Sequence, residues 1–211
     1  MIAVTCVQVG NYGGCGERYV RALKAMVRKN LTLPHSFYCV TDAPVEGVKC
    51  IAADPDLKGW WQKLYLFREG LFDEERALFF DLDTFIVRNI DELASYDGDL
   101  AMLGDFWVSN MIASGVMAWN TKKTGYLWEK YVEQGKPQPN DGSLGDRWWI
   151  QQNCHTCDIL QHYFPDAFVS YKSSCVEAVP RTASVCCFHG HPRPHEATGW
   201  AHNEWNRLKS A

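Results

Sequence analysis

Apolar and polar positions in this chain switch between two periods, and the switches mark its elements. Ala3 to Val9 is an apolar, largely β-branched run bounded by Gly10, the signature of a buried strand. From Glu17 to Lys29 the apolar residues Val20, Leu23, Met26 and Val27 fall at helical spacing with polar residues between them, and Pro34 closes the unit. Ser36 to Val40 predicts a second strand, followed by the turn-like Thr41-Asp42-Ala43-Pro44, and Gly47 to Ala52 predicts a third. Gly59 to Phe72, with Trp60, Trp61, Leu64, Leu66 and Phe67, predicts a helix. Ala77 to Phe80 is a very apolar strand that runs directly into Asp81-Leu82-Asp83.

Strands alternating with helices predict an α/β fold with a mainly parallel sheet covered on both faces. Such sheets bind ligands beyond the carboxyl ends of their strands. The second half is less regular. Asp99 to Leu103, Gly115 to Trp119 and Val185 to Phe188 read as strands, and Trp148 to Asn153 opens a helix. His189 to His195 is a loop punctuated by Pro192 and Pro194. Without an internal repeat, low-complexity stretch or linker, one domain over residues 1–211 is expected.

Composition narrows the function. The hydrophobic fraction of 46% supplies a sizeable core, and a net charge of -4 argues against nucleic-acid binding, which needs clustered Lys and Arg. No apolar run reaches the length of a membrane span, and the N-terminus reads as a first strand rather than a secretion signal. A cytoplasmic location is therefore expected, with the nine cysteines as reduced thiols. Cys154-His155-Thr156-Cys157 has the spacing of half a zinc site. The second close pair is missing, so two unrelated thiols is the favoured reading.

The strongest chemical signal is Asp81 with Asp83. Residues two apart on extended chain point to one side, and here a buried strand presents both carboxylates at its carboxyl end. Converging carboxylates repel unless a cation lies between them, and a hard divalent ion so held completes its shell with substrate phosphates. The plain alternative is one Asp capping a turn and the other solvated. Arg193, between two prolines, suits bidentate binding of a diphosphate; otherwise it is an exposed loop charge. One member of each pair Trp60-Trp61 and Trp148-Trp149 is expected in the core, leaving the other to stack on a sugar face.

Five segments, in order, resemble the GT-A glycosyltransferases of glycosyltransferase family 8, the group of glycogenin and bacterial galactosyltransferases. They are GWWQKLYLF, FFDLDTFIVRNIDEL, ASGVMAWN, LGDRWWIQQ and CFHGHPRPHE. Together with VSYK they look most like short bacterial and phage glycosyltransferase sequences, and cover the chain from about the first strand to Glu196. The resemblance implies a GT-A fold, with residues 1–93 as a nucleotide-binding half and 94–211 as an acceptor-side half with a closing loop. It implies a hexosyltransferase that moves sugar, with retention, from a UDP-linked donor to a glycan, lipid-linked or protein acceptor.

The resemblance also assigns residues. His189 joins Asp81 and Asp83 as a third ligand of Mn²⁺ or Mg²⁺, an imidazole favouring Mn²⁺. Lys63 and Arg193 become cations for the donor diphosphate, and Asp146 lies by the anomeric carbon or a sugar hydroxyl. Val9, Tyr12, Leu82, Ser114, Gly115 and Gly190 line the donor site, with Tyr12 against the base. Taken alone, Lys63 reads as a snorkelling surface lysine, His189 as a loop histidine and Asp146 as a helix cap. Three features depart from the family pattern: Arg147 stands where its Gln follows Gly-Asp, His191 stands where its loop has Lys, with Arg193 the nearest cation, and the loop Gly10 to Gly16 that carries Tyr12 is longer than in relatives. A nucleotidyltransferase is the second enzyme reading, but Gly13-Gly14-Cys15-Gly16 lacks the lysine its phosphate loop would carry. An inactive nucleotide-sugar binding module is the third reading.

Overall fold

A computed structural model describes residues 1–139 and 145–208 of the chain. In order, β1 (Ile2–Gln8), α1 (Gly16–Asn30), β2 (His35–Thr41), β3 (Lys49–Ala52), α2 (Gln62–Tyr65) and β4 (Arg76–Phe80) form the first part. β5 (Thr84–Ile86), α3 (Asp91–Ala94), β6 (Leu100–Gly104), β7 (Ile112–Asn120), α4 (Gly125–Glu133) and α5 (Gly145–Asn153) follow. The chain then adds β8 (Asp158–Ile159), α6 (Leu160–Tyr163), β9 (Phe168–Ser170), α7 (Tyr171–Ser174), β10 (Val185–Cys187) and α8 (Gly199–Arg207).

Seven strands make the central sheet in the order β3-β2-β1-β4-β7-β6-β8. β3, β2, β1 and β4 are parallel to one another, as is β8 to β6, while β7 runs antiparallel to both β4 and β6. The mainly parallel α/β sheet expected from the sequence is therefore present. A small second sheet, β5-β10-β9, stands beside it. In β1 the period of two sends Val4 and Cys6 into one apolar layer with Leu23, Val27 and Trp205, and Ala3 into the other with Val40, Met117 and Trp119. Phe79 and Phe80 enter opposite layers and are both fully buried. Truncating either to Ala would cost about 3–5 kcal/mol, so the strand that delivers Asp81 is firmly anchored.

Gly59 to Phe72 does not form one helix. A 3-10 turn, Gly59–Trp61, leads into the single turn of α2, and i+3 bonds continue through Phe67 N to Leu64 O (3.2 Å) and Arg68 N to Tyr65 O (3.0 Å). The reason is burial: Trp61, Leu64, Tyr65, Leu66 and Phe67 are all inside. One helical face cannot bury four consecutive residues, whereas tight turns send side chains to several sides. No helix of the described residues is long and apolar enough to cross a membrane.

Candidate active site

β1 and β4 lie side by side and end at the same edge of the sheet. Beyond that edge lies a cleft of about 650 Å³. Val9, Tyr12, Lys63, Asp81, Leu82, Asp83, Asp146 and Arg193 line it, joined by Val7, Gly59, Trp60, Gly145 and Arg147. Eight of the residues expected from the sequence are thus brought together around one space.

Asp81 is fixed by its backbone: its N–H donates to Gly115 O (2.8 Å) and its carbonyl accepts from Thr84 N (3.1 Å). Gly115 matters for a steric reason, since a Cβ there would lie 3.4 Å from Asp81 Oδ2. Lys63 Nζ stands 2.7 Å from Asp81 Oδ1 and donates to Ser114 O (3.3 Å) and Oγ (3.2 Å). Ser114 and Gly115 therefore sit behind the carboxylate and its lysine. The expected helix around Lys63 is replaced by a turn that drives the ammonium inward, where it is 7% exposed. Burial works against its charge, but Asp81 and Asp146 outweigh burial and raise its pKa.

Asp83 accepts a hydrogen bond from Tyr12 Oη (3.0 Å). Burial first, and the neighbouring Asp81 second, lift its carboxyl from an ordinary 3.8 to about 7. Burial also raises Asp81, against the pull of Lys63. Two acids whose charged forms are penalised together are a donor set that a cation would relieve. Arg193 lies over the ring of Tyr12, 4.3 Å from its centroid, and Gly13 permits the approach: a Cβ there would be 2.9 Å from a guanidinium nitrogen. Tyr19 Oη and His195 Nδ1, 2.6 Å apart, tie the same loop to α1. The N-terminal loop and the loop after β10 thus meet over Asp83.

Asp146 occupies the first turn of α5 rather than its cap. It is 5% exposed, and Oδ2 has no hydrogen-bond partner among the described residues. Arg147 pairs with Asp105 at the neck between β6 and β7. Both tryptophan pairs divide as expected: Trp61 and Trp149 are in the core, while Trp60 and Trp148 are exposed.

His189 and Gly190 stand apart from the cleft's lining. Phe188 N donates to Asp83 O (3.1 Å), so His189 follows directly on a residue tied to Asp83. Its ring lies against Phe106 and Trp107, with centroids 5.1 and 4.8 Å away. Burial lowers its pKa to about 4, and its Nε2 is buried without a partner among the described residues. Among the described residues no group of three His, Cys, Asp or Glu side chains is arranged around a common metal position. Sequence reasoning gave Gly59 and Gly145 no role, although both stand in the segments GWWQKLYLF and LGDRWWIQQ, and it missed Asp105, which carries no pattern of its own; the close approach of Gly145 to Trp60 and the pairing of Asp105 with Arg147 exist only in the fold.

No protein-family model and no curated protein sequence matches the chain. Solved structures do. The glycosyltransferase GlyE from Streptococcus pneumoniae TIGR4 superposes with a TM-score of 0.71 at 14% identity, over 99% of this chain and 60% of GlyE. The galactosyltransferase LgtC, solved with donor and acceptor sugar analogs, gives 0.66 at 15%, over 99% of this chain and 95% of LgtC. The bifunctional glycosyltransferase WbbM gives 0.70 at 10% and is covered over 49% of its length. The chain thus spans less than two thirds of GlyE, about half of WbbM and nearly all of LgtC. At these identities the likeness establishes the fold: this is a GT-A fold.

Proposed function

We propose that the chain is a metal-dependent glycosyltransferase of the hexosyltransferase class, moving sugar from a UDP-linked donor to an acceptor with retention of configuration. One observation carries the reading: Asp81, Asp83 and Lys63 converge at the floor of a cleft beyond the carboxyl ends of two parallel strands. In a parallel sheet that is where a ligand binds. The GT-A fold, shared with three glycosyltransferases, supports the same activity. In this division of labour residues 1–93 serve mainly the nucleotide and residues 94–211 mainly the acceptor.

The residues present fit a divalent cation, Mn²⁺ or Mg²⁺. Asp81 and Asp83 offer hard oxygens whose charge burial now penalises. His189, the third ligand the resemblance implies, carries an imidazole that is neutral at pH 7 with a nitrogen unpartnered among the described residues, the form a metal requires; its ring packs on Phe106 and Trp107 outside the cleft lining, so the fit rests on the two carboxylates. Bound there, the ion would supply Lewis-acid neutralisation of the departing diphosphate. Lys63 contributes a fixed positive charge at the same place, held by Ser114. Arg193 sits on Tyr12 at the lip, where a diphosphate would meet it, and its guanidinium matches phosphate oxygens. Asp146 presents an acceptor oxygen for a sugar hydroxyl.

The test is calorimetric titration of the protein with UDP, with Mn²⁺ and then with EDTA, alongside nucleotide release from UDP-sugars. Binding is expected only with Mn²⁺, and a saturating ligand at 100 Kd would stabilise the fold by about 2.7 kcal/mol. UDP affinity that EDTA leaves unchanged overturns metal dependence, and no nucleotide release from any UDP-sugar overturns the activity.

A further inference from the structure

The cleft does not end at Trp60. A second cavity of about 480 Å³ adjoins it, and Gly59 and Trp60 wall both spaces. We propose that this second cavity is an acceptor subsite for a neutral oligosaccharide, with one sugar ring stacked on Trp60 and a hydroxyl of the saccharide reaching Asp146. The inference rests on the sugar-transfer reading and names the acceptor class that reading leaves open.

Three features carry it. Trp60 is 57% exposed while its neighbour Trp61 is 5% exposed. A large apolar face is therefore left in water at the wall between two cavities, which is how binding surfaces differ from scattered exposed residues. The C–H face of a sugar ring is apolar and slightly positive, and so complements the negative face of an indole. Second, the platform is held close to the reacting space. A Cβ on Gly145 would come 2.8 Å from Trp60 Nε1, and Gly145 (φ +68°) occupies the backbone region that glycine favours. The next residue is Asp146, whose buried Oδ2 lacks a donor among the described residues. A saccharide lying on Trp60 brings hydroxyl donors to the residue that needs one.

Third, the walls are preset and electrically balanced. Gln138 accepts from Lys58 N (2.8 Å) and donates to Asp56 O (2.8 Å), pinning the segment before Trp60. Lys136 pairs with Asp54 and Asp56, both at 2.9 Å. On the cavity wall itself one acid, Asp56, is matched by one base, Lys58. A neutral ligand needs no more, whereas an anionic lipid headgroup would call for an excess of cations. The space beyond Trp60 also implies an acceptor of two or more sugar residues.

The full chain, as wild type, Trp60→Ala and Trp60→Phe, is tested on an array of neutral and acidic oligosaccharides and on phosphatidylglycerol vesicles. UDP with Mn²⁺ is titrated into the wild type in parallel. The expected result is capture of neutral oligosaccharides of two or more residues by the wild type. Trp60→Ala should weaken that capture at least about tenfold, and Trp60→Phe should largely keep it because the aromatic face remains. If UDP binds but no glycan is captured, or Trp60→Ala captures glycans as well as the wild type, the subsite is wrong while the sugar-transfer reading stands. Capture of vesicles in place of glycans likewise overturns the subsite. If glycans bind and UDP does not, the transfer reading falls, and the acceptor role with it.

Discussion

Asp83→Asn separates the cost of the site to the fold from its use. In the folded chain burial and Asp81 raise the Asp83 carboxyl from 3.8 to about 7. The folded form therefore holds a proton over a pH range where the unfolded form has lost it. Stability contributed by this group is present below about pH 4 and is lost as the pH rises towards 7. A rise of about three in pKa corresponds to about 4 kcal/mol at 1.36 kcal/mol each. Asn keeps an oxygen to accept from Tyr12 Oη but brings a buried amide N–H₂ that costs about 1 kcal/mol or more. The variant should then be more stable than wild type by about 2–3 kcal/mol at pH 8 in EDTA. For a chain of this size that raises Tm by roughly 5–10 °C. At pH 4 the two proteins should melt together, or the variant slightly lower. Saturating Mn²⁺ with UDP should raise the Tm of the wild type and leave Asp83→Asn unmoved. Thermal melts across pH 4 to 8 provide the measurement. A variant that melts at or below wild type at pH 8 refutes the argument that Asp83 is held against its own charge.

Arg193→Ala should lower turnover about 10- to 100-fold while UDP affinity changes by less than about threefold, because its charge acts most on the separating diphosphate; steady-state kinetics and calorimetry check the split. His189→Ala should instead weaken Mn²⁺-dependent UDP binding about tenfold or more, since loss of one ligand acts on metal affinity itself, and equal affinity would remove it from the metal site. Asp146→Asn should leave the stability of the fold within about 1 kcal/mol of wild type, because α5 loses only a charge in its first turn, while UDP-sugar turnover falls about 100-fold; normal turnover would make its burial purely structural. Limited proteolysis should find residues 189–195 protected by donor together with Mn²⁺ and not by either alone, and cleavage unchanged by both would discard the closing-loop role.

The elements that follow from a local period were legible in the sequence. β1, β2, β4 and α1 lie within one or two residues of their expected bounds because burial on one or both faces dictates their residue types. The turn at Lys63 was not legible, since an apolar run that must bury in several directions looks like a helix when only its composition is read. α4 and α8 were missed for the opposite reason: Gly125–Glu133 and Gly199–Arg207 are short and mix aromatic with polar residues on both faces. For the site, Asp81 and Asp83 could be read from their position after Phe80, and Lys63, Asp146 and Arg193 from resemblance. The contact of Tyr12 with Asp83 and Arg193 could not, because it joins residues 71 and 181 positions apart through the fold alone.

That long-range contact also sets a schedule for synthesis. The cleft takes residues from Val7 to Arg193. At a translation rate of about 5–20 residues per second, roughly 10 to 40 seconds separate the appearance of the first wall from that of the last. During that interval β1 and β4 can pair, yet Asp81 and Asp83 stand at the growing sheet's edge without the loop that covers them. A ribosome-stalled chain ending before β10 should accordingly hold a sheet but no nucleotide, so competence arrives late and all at once.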